Sequence, residues 1–217
     1  MKKCEDEYSV EQIRCNKIDV LKGLLIILVV MGHAEVKFVH DVVFLSHMPL
    51  FFIISGLLLK KERLMEGTKY IKNKIRNLMV PYFTYLIIDL FFVRRDYTTG
   101  SIIRVLWGGR AISGVYWYIT CFLFTSLLLY VLIKTFSDKM SKVLIFMGGG
   151  IAVIELHLVN KIHLLQSPGI PWNLNVSLMA LVCVGIGFFY KDKIKEMLES
   201  DLKRYDLLAG GITVSLA

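Results

Sequence analysis

Asp19, Lys22 and His33 are three ionisable side chains in one apolar stretch, Asn16 to His33, which is wholly apolar from Leu24 to Met31. On an α-helix, at about 100° per residue, Asp19 and Lys22 are one turn apart. The eleven steps from Lys22 to His33 come to about 1100°, within about 20° of the start. The three polar groups therefore share one stripe, with Ile26 and Val29 between them. Charge inside a bilayer is costly, so this stripe is expected to face protein or water. Among side chains placed near mid-membrane, His33 has an ordinary pKa suited to proton transfer near neutral pH, the property of a general base. Two alternatives stand beside this one: a helix end with two flanking charges, and a histidine satisfied by a backbone carbonyl.

Other residues add chemistry. Lys74 and Arg76 end a basic run, Lys60 to Asn77, that also holds Lys60, Lys61, Arg63, Lys69 and Lys72. With Lys22, such a cluster suits a phosphate-bearing cofactor. The alternative is a basic loop on lipid head groups. His47 either supports the site or only caps its helix and lines the mouth of the bundle. Asp89, Glu155 and His157 are further ionisable groups in apolar blocks. An intramembrane carboxylate usually has a partner, and Lys161 is one candidate for Glu155. Ser55-Gly56 lacks a Gly-x-Ser-x-Gly elbow and reads as close helix packing. Cys4, Cys15, Cys121 and Cys183 show neither CxxC nor metal-ligand spacing, so they read as reduced and structural, and no metal is expected.

These residues must be positioned by membrane helices. The chain has 217 residues and is 55% apolar, against about 45–50% for a soluble domain. The apolar residues come in blocks long enough to cross a bilayer rather than in short alternating runs. The net charge of +8 sits between those blocks, which favours the anionic face of a membrane over nucleic acid. The fold class is therefore all-α: a polytopic transmembrane helix bundle of about six spans plus a seventh that is cut short. The spans are expected over 18–36, 43–59, 78–93, 115–136, 143–159 and 175–190. Pro49 fits the first turn of the second helix, the basic run and residues 94–114 read as loops, and Lys191 to Arg204 reads as an amphipathic surface helix. The last block, Leu207 to Ala217, is shorter than a span, so the sequence reads as an incomplete membrane domain over 18–217 behind a polar N-terminal segment over 1–17. That segment is too polar for a cleaved signal peptide. With the N-terminus inside, nineteen Lys or Arg residues fall on inner segments and six on outer ones, which orients the chain.

The order and spacing of these motifs carry a resemblance. Asp19-Val-Leu-Lys-Gly…Val-Met-Gly-His33, then His47-Met-Pro-Leu-Phe-Phe-Ile-Ile-Ser-Gly56, then a basic run into Val80-Pro-Tyr82, resembles the acyltransferase 3 family of bacterial integral-membrane O-acyltransferases. Trp117-Tyr118 and Pro171-Trp-Asn…Gly185-Ile-Gly-Phe-Phe-Tyr-Lys191 agree with it, and the nearest likeness is to the fucose 4-O-acetylase-like branch. The resemblance spans about residues 14–195. It implies transfer of an acyl group, usually acetyl from acetyl-CoA, to a hydroxyl of a sugar or cell-envelope glycan. It implies a multi-pass protein of the cytoplasmic membrane, with the bilayer, acyl-CoA and a glycan acceptor as partners. His33 matches the family's essential histidine. Lys22 stands where many members have an arginine, which weakens bidentate phosphate binding there. Lys74 and Arg76 fall loosely in the family's basic motif, and Asp19, His47 and Glu155 are supporting candidates. Members have roughly ten spans, so the last third is missing on this comparison. A transporter or exporter of a lipid-linked glycan, whose polar stripe lines a pathway, is the alternative from another class, and a non-catalytic remnant is a third.

Overall fold

The structure, a computed structural model, describes residues 18–32, 37–95, 98–108, 116–159 and 170–197. Among these residues every regular element is helical and there is no strand. Helix α1 covers residues 18–32, and α2 is Lys37–Leu58. A short α3, Lys61–Met65, leads into α4, Thr68–Ile88, which runs on through a π-helical turn, Asp89–Arg94. Then come α5, Thr99–Trp107, α6, Tyr116–Thr135, and α7, Asp138–Val159. A 3₁₀ turn, Pro171–Asn173, opens α8, Leu174–Phe189, and α9 is Lys191–Met197.

Helix α8 is central. It packs against α2, α6 and α7, while α4 packs on α6. Small residues make this possible, because without large side chains two backbones approach closely and gain van der Waals contact where lipid offers no hydrophobic drive. Gly187 and Gly56 bring α8 and α2 together, and Gly149 sits against Val182 between α7 and α8. Hydroxyls tie α6 to α8: Thr125 Oγ1 donates to the Cys121 carbonyl of its own helix at 2.8 Å and sits 3.3 Å from the Ser177 carbonyl of α8, and Ser177 Oγ donates to the Cys121 carbonyl at 3.3 Å. The core holds Phe52, Leu129, Leu181, Val184 and Phe188.

Large apolar side chains cover the outside. Phe92, Val93, Phe146, Met147, Ile154 and Leu156 are all more than half exposed, Phe92 and Val93 over two-thirds. In water such a surface would aggregate, and in a bilayer it matches its solvent. Among the described residues, three helices have the length and apolarity to cross: Thr68–Val93, Tyr116–Thr135 and Asp138–Leu158. A fourth is added if α8 and α9, bent by 70°, count as one span.

The structure corrects several local expectations. Pro49 lies inside α2 rather than in its first turn, and residues 37–41 are helical rather than a loop. The basic run is not a loop either. It forms α3 and nearly the first three turns of α4, with Pro81 inside α4. Membrane helices tolerate an internal proline because neighbouring groups re-satisfy the freed carbonyl, so proline was not a boundary here. Thr98 caps α5, its hydroxyl accepting from the Ser101 amide at 3.4 Å, in a segment that reads as a loop by composition.

Candidate active site

The site begins on α4. Tyr70, Lys74, Leu78, Tyr82 and Leu86 recur every fourth residue and are all buried or half-buried. They form the i±4 ridge of α4, the row of side chains that fits a neighbouring helix. One member of that ridge is a cation. Arg76, two residues on, is about 200° around the helix and is exposed. The structure therefore separates Lys74 and Arg76: the first enters the helix packing and the second leaves it.

Lys74 Nζ stands 4.3 Å from the centre of the Phe122 ring. Phe122 stacks on Tyr118, one turn earlier on α6, with centroids 6.0 Å apart and an interplanar angle of 4°. Phe52 of α2 tilts against both, 5.2 Å from Tyr118 and 6.2 Å from Phe122. Phe51 meets Tyr118 edge-on at 6.4 Å. Residues from α2 and α6 thus form one ring cluster, and Lys74 of α4 stands over its Phe122 member. A cation over an aromatic face is worth about 0.5–2 kcal/mol, more when desolvated. Among the described residues no carboxylate pairs with Lys74. A half-buried ammonium over an aromatic ring, without a carboxylate among the described residues, retains attraction for an anion.

The ridge continues upward. Tyr82, fully buried, packs edge-on against Tyr116 at 6.2 Å and near Trp172 at 6.5 Å. Trp172 adopts a left-handed backbone, φ 56°, and lies against Gly108, where an added Cβ would come 3.1 Å from the indole. Phe124 meets the indole edge-on at 5.9 Å.

The other described candidates have surroundings of their own. His33 lies outside the described residues. Lys22 donates to Asp19 at 2.9 Å, one turn apart, and Asp19 is exposed. The face of α1 that packs holds Leu25 and Gly32, both buried, whereas Ile26 is 56% exposed. The Asp19–Lys22 stripe runs along the flank of that face, because apolar and small residues fill the contact more closely than a solvated ion pair. His47 is fully buried in α2, five residues before Phe52. Glu155 is half-buried and accepts from Asn175 Nδ2 at 2.9 Å, a bond that joins α7 to α8. His157 is exposed, and Asp89 is half-buried in the π-helical turn.

Sequence reasoning missed the aromatic group. Its signals were present in Phe51-Phe52 before Ile-Ile-Ser-Gly56 and in the one-turn spacing of Tyr118 and Phe122. Stretches so rich in apolar residues gave no reason to single these out. A family model described as an acyltransferase domain matches residues 16–215. No curated protein and no solved structure matches the chain.

Proposed function

The chain belongs to the acyltransferase 3 family, and from that premise we propose that it moves an acetyl group from acetyl-CoA to a hydroxyl of a sugar or cell-envelope glycan. The observation that carries this reading is Lys74, a cation turned into the helix packing over Phe122 with no acidic partner among the described residues. An anionic donor supplies the counter-charge that no described carboxylate gives Lys74. The flat rings of Phe52, Tyr118 and Phe122 provide an apolar wall for the uncharged arm that carries the thioester. Arg76 and Lys22, nearer the surface, attract the phosphates during approach.

In this mechanism His33 is the general base. It takes the proton of the acceptor hydroxyl as that oxygen attacks the thioester carbonyl. The C–O bond forms, the C–S bond breaks, and the thiolate leaves and takes up a proton. The charge bias puts the N-terminus inside, in the cytoplasmic membrane, so the donor approaches from the cytoplasm and the acceptor from the other side.

The test uses the full chain in proteoliposomes with acetyl-CoA and a panel of sugar and glycan acceptors. Free thiol should appear in proportion to acetylated acceptor. Absence of thiol release, with glycan moving unmodified across the membrane, would replace this reading with the exporter one.

A further inference from the structure

We propose that the groove between α7 and α8, at the end where α8 bends into α9, binds one anionic phospholipid of the adjoining leaflet. Its phosphate would rest on Lys142 and its acyl chain along the groove. The inference needs only that these helices cross a membrane and is independent of the acyl-transfer reading.

The walls of the groove are apolar: Ile145 and Phe146 from α7, Val182 and Ile186 from α8. Gly185 forms its floor, and a Cβ added there would come 3.2 Å from the Ile145 side chain. The lip is open to lipid, since Phe146 is 58% and Val143 48% exposed. An apolar trough on a lipid-facing surface holds hydrocarbon rather than water, which needs polar partners.

One end of the trough differs. Lys142 Nζ lies 5.1 Å from the Phe189 ring centre and 5.3 Å from that of Tyr190. The rings attract the ammonium but do not neutralise it, so it keeps its attraction for an anion. Among the described residues no carboxylate pairs with it. Directly after Tyr190 the chain turns by 70° into α9, which carries Lys191, Lys193 and Lys195 against Asp192 and Glu196. Lys191, Ile194 and Lys195 are half-buried on one side of that short helix. A tyrosine and lysines at such a bend belong at the level of the head groups. An apolar slot with a cation at its head-group end matches one phosphate joined to one hydrocarbon chain, and the surplus of lysine on α9 favours a net negative head group.

The experiment is native mass spectrometry of the full chain from detergent, with phosphatidylglycerol or phosphatidylcholine of the same chains added. One phosphatidylglycerol should be retained in preference to phosphatidylcholine. Lys142→Glu should reduce its occupancy about fivefold or more, and Lys142→Arg should keep it. Lys142→Met preserves the apolar stem, so it should lose the lipid with an unchanged melting temperature, and it decides the question if the glutamate variant does not fold. Lys72→Glu, an exposed charge on α4, should leave retention as it was. Equal retention of the two lipids, equal loss in Lys72→Glu, or displacement of the lipid by millimolar inorganic phosphate would each overturn the proposal.

Discussion

Gly56 of α2 and Gly187 of α8 interlock, each seated on the backbone of the other's helix. A methyl group at Gly56 would strike the Val184 carbonyl and come within 2.9 Å of the Phe188 nitrogen. A methyl at Gly187 would strike the Ile53 carbonyl and come within 2.9 Å of the Leu57 nitrogen. Both obstructions are backbone, which cannot swing aside as a side chain can. The contact also sets Phe52, one turn before Gly56, against Phe122, the ring under Lys74.

Gly56→Ala and Gly187→Ala should therefore each destabilise the protein by about 1–3 kcal/mol or more. Gly150 in α7 has open space around it, so Gly150→Ala should stabilise by about 0.5–1 kcal/mol, the helix-propensity gain alone. Thermal unfolding in detergent measures all three. Equal effects at Gly56 and Gly150 would mean that the α2–α8 crossing is looser than described.

Lys74 should matter for donor binding and little for folding. Losing a hydrogen bond to a charged group costs about 1.5–3 kcal/mol, so Lys74→Met should raise the KM for acetyl-CoA about 10- to 100-fold. Its melting temperature should stay level or rise, because an apolar isostere spares the desolvation of a half-buried charge. Arg76→Met, on the exposed side of α4, should have the smaller effect. Steady-state kinetics on donor and acceptor separate the two.

His33→Ala should cut acetyl transfer by about two orders of magnitude or more, the usual contribution of a general base. His33→Gln should not restore it, because an amide hydrogen-bonds but takes no proton at neutral pH. Yield and membrane insertion should stay near those of the parent. Near-normal turnover in the glutamine variant would move the search for the base to His47 or Glu155.

Orientation is open to chemical labelling. In a background without the native cysteines, Glu35→Cys should react with an impermeant thiol reagent from outside the cell, and Met65→Cys should not. Met65 is exposed on α3, so the absence of labelling there reports sidedness and not burial. The reverse pattern would put the donor on the other side of the membrane.

Much of the helical layout was legible in residue order. The blocks expected over 115–136 and 175–190 are α6, Tyr116–Thr135, and α8, Leu174–Phe189. Their limits follow composition because lipid admits few charges along a span and obliges the backbone to satisfy itself as helix. The basic run was less legible. Charged residues are compatible with both loop and helix, and what draws 68–77 into α4 is the ridge from Tyr70 to Leu86 packed on α6. Glu155 was expected to have a partner; among the described residues it accepts from the amide of Asn175, twenty residues away, while Lys161 lies outside the described residues.

The sequence by itself determined that the chain is helical and apolar enough to cross a membrane, and it carried the motifs of its family, because hydropathy and motif spacing are written residue by residue. Tertiary structure decided which of those residues meet. Lys74 and Arg76 look equivalent in the sequence, yet the first stands over Phe122 and the second is exposed. That difference follows from which face of α4 lies against α6, and the choice of face is a property of two packed surfaces, which neither helix holds alone.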